Sequence, residues 1–398
     1  MIHIFLGTKA QYIKTAPLLR LLDAQEVPYR LIDSGQHAEL SGGLRQELGV
    51  REPDHLLAEG RDITRIPQAA LWAGKLALRL FDRKRLKREV FGDRAGVCVV
   101  HGDTPSTLLS ALMAKRAGLA VAHLEAGLRS RHLLHPFPEE LIRVVVMRVA
   151  DLLFAPDEDA VANLHKMRLR GRIVPLPGNT VVEALHHELG LAQAAADSEV
   201  AAAAPRDADA PQDDAVAPGD DTDERDGGAD AASAGDPRAP VIVTMHRVEN
   251  LNRRERVEQL VSLVERLAAD RPVRFVQHGP TIDTLRRRGW DQRLAKAGVE
   301  LTGLATHGEF VAMLAAAPFV ITDGGSIQEE CALLGTPTLL WRAATERPDG
   351  VGANVVVSGY DPARIDRFLA DPEAHRAPAA GTDATPSQLV LDELARYR

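Results

Sequence analysis

Short apolar runs alternate with stretches of helical periodicity along most of the chain, which is typical of a parallel β-sheet covered by helices. In the first half, the runs predicted as strands are 2–7, 29–35, 96–102, 119–124 and 151–156. Apolar residues at helical spacing predict an amphipathic helix over 139–150, which we expect to cover the sheet. The pattern therefore predicts a first domain with helices on both faces of a parallel sheet.

The alternation stops between about residues 191 and 238, where Ala, Asp, Gly and Pro dominate. Large apolar side chains are almost absent from this segment. Because it can bury too little apolar surface to offset the entropy of ordering it, we predict a disordered insertion.

Strand-like runs resume after the insertion, at 241–244, 273–277, 319–322 and 338–341, with a helical run at 254–269. The sequence thus predicts an α/β protein of two Rossmann-like, doubly wound parallel-sheet domains, with the active site in the cleft between them. A helix near 387–397 is expected to pack back on the first domain. The predicted limits are an N-terminal domain over 1–175, a connecting helix over 176–190, the insertion over 191–238, a C-terminal nucleotide-binding domain over 239–372, and a tail over 373–398.

Composition and charge narrow the function classes. The net charge of −8 argues against a nucleic-acid binder, although it is compatible with a local basic pocket for a small anion. The two cysteines form no pattern of the secreted kind, the N-terminus enters an apolar strand at once, and no apolar run is long enough to span a membrane. We therefore expect a cytoplasmic protein with a small ligand and no nucleic-acid or membrane partner.

Charged residues follow the predicted strands of the first domain. The first strand ends in GTKAQYIK, a strand-to-helix turn that carries Lys9 and Lys14 where a helix N-terminus attracts anions. This turn matches neither the dinucleotide fingerprint nor the Walker motif, so ordinary NAD or ATP binding is not predicted.

Three carboxylates are expected to converge near that turn. Asp103 and Glu125 each follow a strand, and Glu139 precedes Arg143 by one turn of the predicted helix. A single acidic residue at a strand end is more often a cap than a catalyst, so the prediction rests on their convergence.

The second domain offers a site for a nucleoside diphosphate. One strand ends in His246 and Arg247, and another runs into DGGSIQEE at residues 323–330. The turn of Gly324, Gly325 and Ser326 at a helix N-terminus is predicted to hold a diphosphate, with Glu329 and Glu330 in reach of a ribose. Arg342 and Arg347 could neutralise a departing diphosphate, and no metal-binding motif accompanies the site.

These segments, in this order, resemble the bacterial UDP-N-acetylglucosamine 2-epimerase family over nearly the whole chain except the insertion. The resemblance is carried by HGDT, HLEAGLRS, PFPEE followed by Arg143, PGNTVVEAL at 177–185, the HR at 246, and DGGSIQEE followed by TERP. It implies a GT-B fold and a reaction without a cofactor on a UDP-N-acetylhexosamine. In that reaction the sugar loses its carbon 2 proton and its UDP, and UDP adds back after protonation on the other face.

By this resemblance, Asp103, Glu125 and Glu139 are the acid and base candidates, and His246 stabilises the leaving diphosphate. Anion binding is assigned to Lys9, Lys14, Arg143 and Arg347, and nucleotide binding to Gly325, Ser326 and Glu330. A homodimer is also expected.

The chain departs from the family pattern at three places. GTRPE reads GTKAQ here, DSGG reads DGGS, and the regulatory GQHR segment reads GQHAEL. Gln36 and His37 are kept as possible regulatory residues, but the missing arginine makes allosteric activation doubtful. Three other functions stay open: a hydrolysing epimerase that releases UDP, a GT-B glycosyltransferase, and a catalytically silent sugar-nucleotide-binding protein.

Overall fold

The computed structural model describes residues 1–36, 38–58, 66–130, 138–191, 238–381 and 385–397. The predicted disordered insertion lies almost wholly outside these residues. Each half of the described chain builds one parallel sheet flanked by helices.

The N-terminal sheet has seven strands in the order β3-β2-β1-β4-β5-β6-β7. Its strands are β1 Ile2–Leu6, β2 Tyr29–Asp33, β3 His55–Leu56, β4 Val97–His101, β5 Ala120–Leu124, β6 Leu152–Ala155 and β7 Arg172–Pro175. The helices are α1 Lys9–Ala24, α2 Ala38–Glu47, α3 Ile66–Leu78, α4 Arg83–Glu89, α5 Pro105–Ala117, α6 Glu139–Val149, α7 Glu158–Met167 and α8, which is described over 181–191.

The C-terminal sheet has six strands in the order β10-β9-β8-β11-β12-β13. Its strands are β8 Val241–Thr244, β9 Val273–Val276, β10 Glu300–Thr302, β11 Val320–Thr322, β12 Thr338–Leu340 and β13 Val355–Val357. The helices are α9 Val248–Leu251, α10 Arg254–Ala268, α11 Gly279–Arg286, α12 Trp290–Lys296, α13 His307–Ala316, α14 Gly325–Leu334, α15 Pro362–Ala370 and α16 Pro386–Leu394.

Both sheets are buried on both faces, which explains why their strands read as continuous apolar runs. In β1, Ile4 and Leu6 join one apolar core while Phe5, which points the other way, joins a second core. In β8, Val243 and Ile242 divide between two cores in the same manner. This alternation lets helices pack on each side of both sheets.

The predicted two-sheet α/β architecture is confirmed, and every predicted strand is present. The strands β3, β7, β10 and β13 were not predicted: they are the edge strands of the two sheets, and their partly exposed residues do not form a continuous apolar run. The C-terminal helix α16 packs on α1, and its Val390, Leu391 and Leu394 join the core of the first domain as expected. The exact domain limits stay a prediction.

The strand order locates the site. In each sheet the chain winds in one direction from the first strand and then returns to its other side, so β1/β4 and β8/β11 are the two switch points. Ligands of open α/β sheets bind beyond the carboxyl ends of the strands at such points. These ends carry Thr8, Asp103, His246 and Gly324.

Acid sensitivity is expected from His3, a buried histidine in β1 that packs edge-on against Phe91 at a ring distance of 5.3 Å. Burial lowers the pKa of His3 from 6.5 to about 4. The unfolded chain therefore binds a proton at this residue more tightly than the folded chain does. Above pH 6.5 His3 does not reduce the free energy of unfolding, which then declines as the pH falls toward 4. Between pH 6.5 and 5 the loss should be about 2 kcal/mol, and His3→Leu should remove that part of the pH dependence in urea unfolding. Equal pH dependence in both proteins would contradict this expectation.

Candidate active site

The two switch points face each other across one cavity, and both domains contribute to its wall. The lining residues are Thr8, Ala10, Gln11, Lys14, His101, Gly102, Asp103, Thr104, Glu125, Glu139, His246, Arg247, Gly324, Gly325, Ser326, Ile327, Glu346 and Arg347. All four predicted catalytic residues are among them. The cleft site expected from the sequence is thus brought together by the fold.

A buried group of two cations and two carboxylates joins the domains at one end of the cavity. Lys14 Nζ lies 2.5 Å from both Glu125 Oε1 and Glu329 Oε2. Arg347 Nη1 lies 3.1 Å and 3.0 Å from the same two oxygens. The Asn179 amide donates to Glu125 at 3.0 Å and to Glu329 at 2.5 Å. We call these five residues the ionic cluster, and its four formal charges cancel.

The environment of Glu125 favours its ionised form. Burial alone would raise the pKa of Glu125, but Arg347 and Lys14 together hold it well below its usual value. Glu125 also has a φ of 63°, a left-handed conformation that costs an ordinary residue roughly 1–2 kcal/mol. This turn follows β5 and places Glu125 on the wall of the cavity.

Asp103 is held by a buried arginine. Arg143 Nη2 contacts Asp103 Oδ2, and Arg143 Nη1 donates to Glu140 Oε2 at 2.7 Å. Glu140 also accepts a hydrogen bond from Arg129 Nε at 2.5 Å, so the carboxylate that pairs with Arg143 is itself held in place. Arg143, predicted one turn after Glu139 and assigned to anion binding, thus pairs with Asp103 and Glu140 and is not among the residues that line the cavity.

Glu139 differs from the other carboxylates in the cleft. It begins α6, and its Oε2 is buried without a hydrogen-bond partner among the described residues. Burial raises the pKa of Glu139, and the nearby charge of Asp103 adds to the effect. A carboxyl whose pKa is moved toward neutrality can give and accept a proton under ordinary conditions.

His246 stands opposite these carboxylates, on the C-terminal domain. The buried carboxylate of Asp323 accepts from the backbone N–H groups of His246 and Arg247 at 2.9 Å and 3.0 Å, and from Asn250 Nδ2 at 2.9 Å. The imidazole packs against His278, with the ring centroids 4.5 Å apart and the ring planes tilted by 39°. Burial lowers the pKa of His246, so the ring is neutral at pH 7 before any ligand arrives.

The N-terminus of α14 lies beside His246. Gly324 precedes the helix, and a Cβ at this position would meet His246 Cε1 at 2.8 Å. A Cβ on Gly325 would lie 3.2 Å from Arg347 Nε. The DGGS order therefore lets the imidazole and the guanidinium approach the helix N-terminus closely, with the half-buried Ser326 following on the cavity wall.

The hydrogen bonds of Gln11 explain why a glutamine stands in the GTKAQ turn. Gln11 Nε2 donates to the His101 carbonyl at 2.7 Å and to Thr107 Oγ1 at 2.8 Å, while its Oε1 accepts from the Thr8 N–H at 3.1 Å. A glutamate could not donate to the carbonyl. Gln11 thus joins the turn after β1 to the turn after β4.

Several predicted site residues lie away from the cavity. Glu330 is buried with its Oε1 3.2 Å from His307 Nε2, and Lys9 lies near His278, whose pKa its charge helps to lower. Gln36 lies beyond β2 with its Oε1 buried and unpartnered among the described residues, and His37 lies outside those residues.

The structure adds residues that sequence reasoning missed. Glu346 and His101 line the cavity, and Asn179 completes the ionic cluster. Glu329, which the sequence predicted to be in reach of a ribose, instead pairs with Lys14 and Arg347 in that cluster. Asn179 sits in the PGNT segment, so that motif was the available signal for it. Among the described residues, no group of three or more histidine, cysteine, aspartate or glutamate side chains is arranged to hold a metal ion. None of the described helices has the length and apolar character needed to cross a bilayer.

Comparison with known proteins agrees with this geometry. A sequence model of the family described as UDP-N-acetylglucosamine 2-epimerase matches residues 20–384. The UDP-N-acetylglucosamine 2-epimerase of Methanocaldococcus jannaschii is 28% identical over 89% of this chain and 88% of its own length. That of Bacillus subtilis is 27% identical over 98% of this chain and 93% of its own length.

Solved structures support the same fold. The UDP-GlcNAc 2-epimerase of Neisseria meningitidis, solved with UDP-GlcNAc, superposes with a TM-score of 0.78 at 22% identity, over 99% of both chains. The M. jannaschii enzyme in complex with UDP-GlcNAc and UDP gives a TM-score of 0.75 at 24% identity, over 99% of both chains. The GT-B fold expected from the sequence is confirmed, and the match of the family model over most of the chain shows that this protein is an isomerase of the UDP-N-acetylglucosamine 2-epimerase family.

Proposed function

We propose that this protein interconverts UDP-N-acetylglucosamine and UDP-N-acetylmannosamine without net hydrolysis. The observation that carries the proposal is the cleft itself, in which Asp103, Glu125 and Glu139 face His246 and the N-terminus of α14. In the proposed first step, a base takes the proton from carbon 2 while the bond from carbon 1 to the UDP oxygen breaks. The electron pair forms a carbon–carbon double bond, which leaves 2-acetamidoglucal and UDP in the site.

Inversion at carbon 2 needs the proton to return on the opposite face, so at least two acid or base groups are required. The cleft supplies carboxyls whose environments differ: the pKa of Glu125 is lowered by its two cations, and that of Glu139 is raised by burial. Separated pKa values are the usual basis for assigning an acid and a base. We propose Glu139 as a proton carrier at carbon 2, with Asp103 and Glu125 as the candidates for the other face.

The departing diphosphate requires positive charge and hydrogen-bond donors. The N-terminus of α14, which has Gly325 and Ser326 in its first turn, supplies backbone N–H groups that favour an anion. Arg347 lies against this turn, and His246 is close enough to donate to a diphosphate placed there. Lys14, from the N-terminal domain, adds a second buried cation beside Arg347.

One incubation with two readouts separates this proposal from its alternatives. The protein is incubated with UDP-N-acetylglucosamine in deuterated water, and NMR follows deuterium at carbon 2 and the configuration of the product. The proposal expects deuterated UDP-N-acetylmannosamine. Free N-acetylmannosamine with stoichiometric UDP would indicate the hydrolysing reaction, and no exchange at carbon 2 would contradict epimerisation.

A homodimer and a cytoplasmic location also belong to this proposal. Light scattering after size-exclusion chromatography measures the molar mass in solution, and fractionation of the native cells locates the protein. A monomeric molar mass would contradict the homodimer, and recovery in the membrane fraction would contradict the cytoplasmic location. Neither result would contradict the proposed reaction.

Glu330→Ala is expected to weaken UDP binding about tenfold or more, because a charged hydrogen bond to a ribose hydroxyl contributes about 1.5–3 kcal/mol. Titration calorimetry with UDP measures the change. In the structure Glu330 contacts His307, a buried residue. Burial alone would lower the pKa of His307, but Glu188 and Glu330 outweigh it and raise the pKa to about 9. Glu188→Ala is therefore the matched control, since it removes the other carboxylate beside His307. Equal losses in both variants would assign the effect to His307 and not to the ribose.

A further inference from the structure

In the reaction proposed above, the diphosphate binds next to an ionic cluster whose charges already cancel. Lys14 and Arg347 are the cations that line the diphosphate end of the cavity, yet both are already paired with Glu125 and Glu329. The side chains of Lys14, Glu125 and Glu329 are at most 5% exposed, and that of Arg347 is 12% exposed. A diphosphate that enters beside this neutral, buried group brings negative charge without a free cation in the cluster to meet it.

Glu329 differs from Glu125 in its position. Glu125 lines the cavity, whereas Glu329 does not: it lines a separate pocket together with Asn179, Arg347 and Asp349. A proton on Glu329 would leave the cluster with one net positive charge facing the ligand. It would also leave Glu125 ionised in the cleft.

We propose that binding of UDP is coupled to uptake of one proton by Glu329, so that this residue compensates the charge of the incoming diphosphate. The inference rests on the proposed nucleotide site. Glu329 acts here through Lys14 and Arg347, and it is a positioning residue because it touches neither the diphosphate nor the sugar.

The surroundings of Glu329 favour this residue as the proton acceptor. It is faced by Lys14 from α1, Glu125 after β5, Asn179 before α8, and both Arg347 and Asp349 from the loop after β12. Burial raises the pKa of Glu329, and the charges of Glu125 and Asp349 add to this against the two cations. The pKa of Glu125 is shifted in the opposite direction. Negative charge added at the diphosphate position raises the pKa of both carboxyls. Glu329 is expected to be protonated first, because its pKa is already raised.

Titration calorimetry with UDP tests the coupling. The titration is run from pH 6.5 to 8 in buffers of different ionisation enthalpy, and the proton change of UDP itself, whose last phosphate proton leaves at roughly pH 6, is measured separately and subtracted. The wild type is expected to take up protons when UDP binds, up to one per UDP, and more at pH 6.5 than at pH 8. The dissociation constant of UDP should accordingly rise with pH, by at most about tenfold per pH unit.

Three variants decide between the groups that could take up the proton. Glu329→Gln keeps the size of the side chain and imitates the protonated state, so its proton uptake should fall and the pH dependence of its UDP affinity should flatten. His246→Asn and Glu139→Gln should both retain the uptake, although these two residues line the cavity and could also be protonated beside a diphosphate.

Each outcome decides the proposal. UDP binding without proton uptake in the wild type overturns the coupling and leaves the proposed function intact. Uptake that persists in Glu329→Gln also overturns it, and loss of the uptake in His246→Asn or Glu139→Gln then assigns the proton to that residue. Absence of any UDP binding at pH 6 to 8 overturns the nucleotide site together with this inference.

Discussion

Glu139→Gln is expected to lower the rate of hydrogen exchange at carbon 2 of UDP-N-acetylglucosamine by about a hundredfold to ten-thousandfold, the usual contribution of a positioned acid or base. The carboxamide has nearly the shape of the carboxyl but cannot accept the proton. UDP affinity should remain unchanged, because the proposed nucleotide contacts lie on α14 and the loop that follows β12. Exchange followed by NMR in deuterated water and calorimetry with UDP measure the two quantities separately.

The matched control is Glu158→Gln, which changes an exposed glutamate at the start of α7. It alters the same residue type at the same helical position as Glu139, away from the cavity, and should leave exchange unaffected. Asp103→Asn should also slow exchange strongly, although it disturbs the ion pair with Arg143 as well. Exchange at the wild-type rate in both Glu139→Gln and Asp103→Asn would contradict the proposed chemistry.

Strand-end residues could be predicted from the sequence because a parallel sheet imposes their position. The strands β4 and β5 pair in register from Val97 with Ala120 to His101 with Leu124, so the residues that follow them emerge at one edge. Asp103 and Glu125 were placed together on this argument alone. The same reasoning located His246 and Gly324 at the ends of β8 and β11.

Contacts between the domains could not be predicted in the same way. Lys14 meets Glu329 across 315 positions of sequence, and no local pattern encodes such a pairing. Glu329 and Glu330 are neighbours in sequence, but successive residues of a helix point about 100° apart. Glu329 therefore enters the ionic cluster while Glu330 turns to His307, and the sequence offered no reason to distinguish them.

His246→Ala is expected to lower turnover about a hundredfold to a thousandfold, the usual effect of removing one preorganised donor at a site of developing charge. The imidazole lies beside the N-terminus of α14, where a Cβ on Gly324 would approach its Cε1 to 2.8 Å. Negative charge on the diphosphate grows as its bond to carbon 1 breaks. A donor held at this place therefore stabilises the transition state more than the bound substrate.

Steady-state kinetics should place this loss mainly in kcat and much less in KM, because the interaction strengthens as the leaving group departs. Asp323 Oδ1 holds the His246 backbone by accepting from its N–H at 2.9 Å, and His278 packs against the imidazole with the ring planes tilted by 39°. His165→Ala, an exposed histidine at the end of α7, is the control and should turn over at the wild-type rate. A higher KM with unchanged kcat in His246→Ala would mean that the histidine binds substrate and transition state equally. In that case Arg347 and the N-terminus of α14 would have to stabilise the departing diphosphate without it.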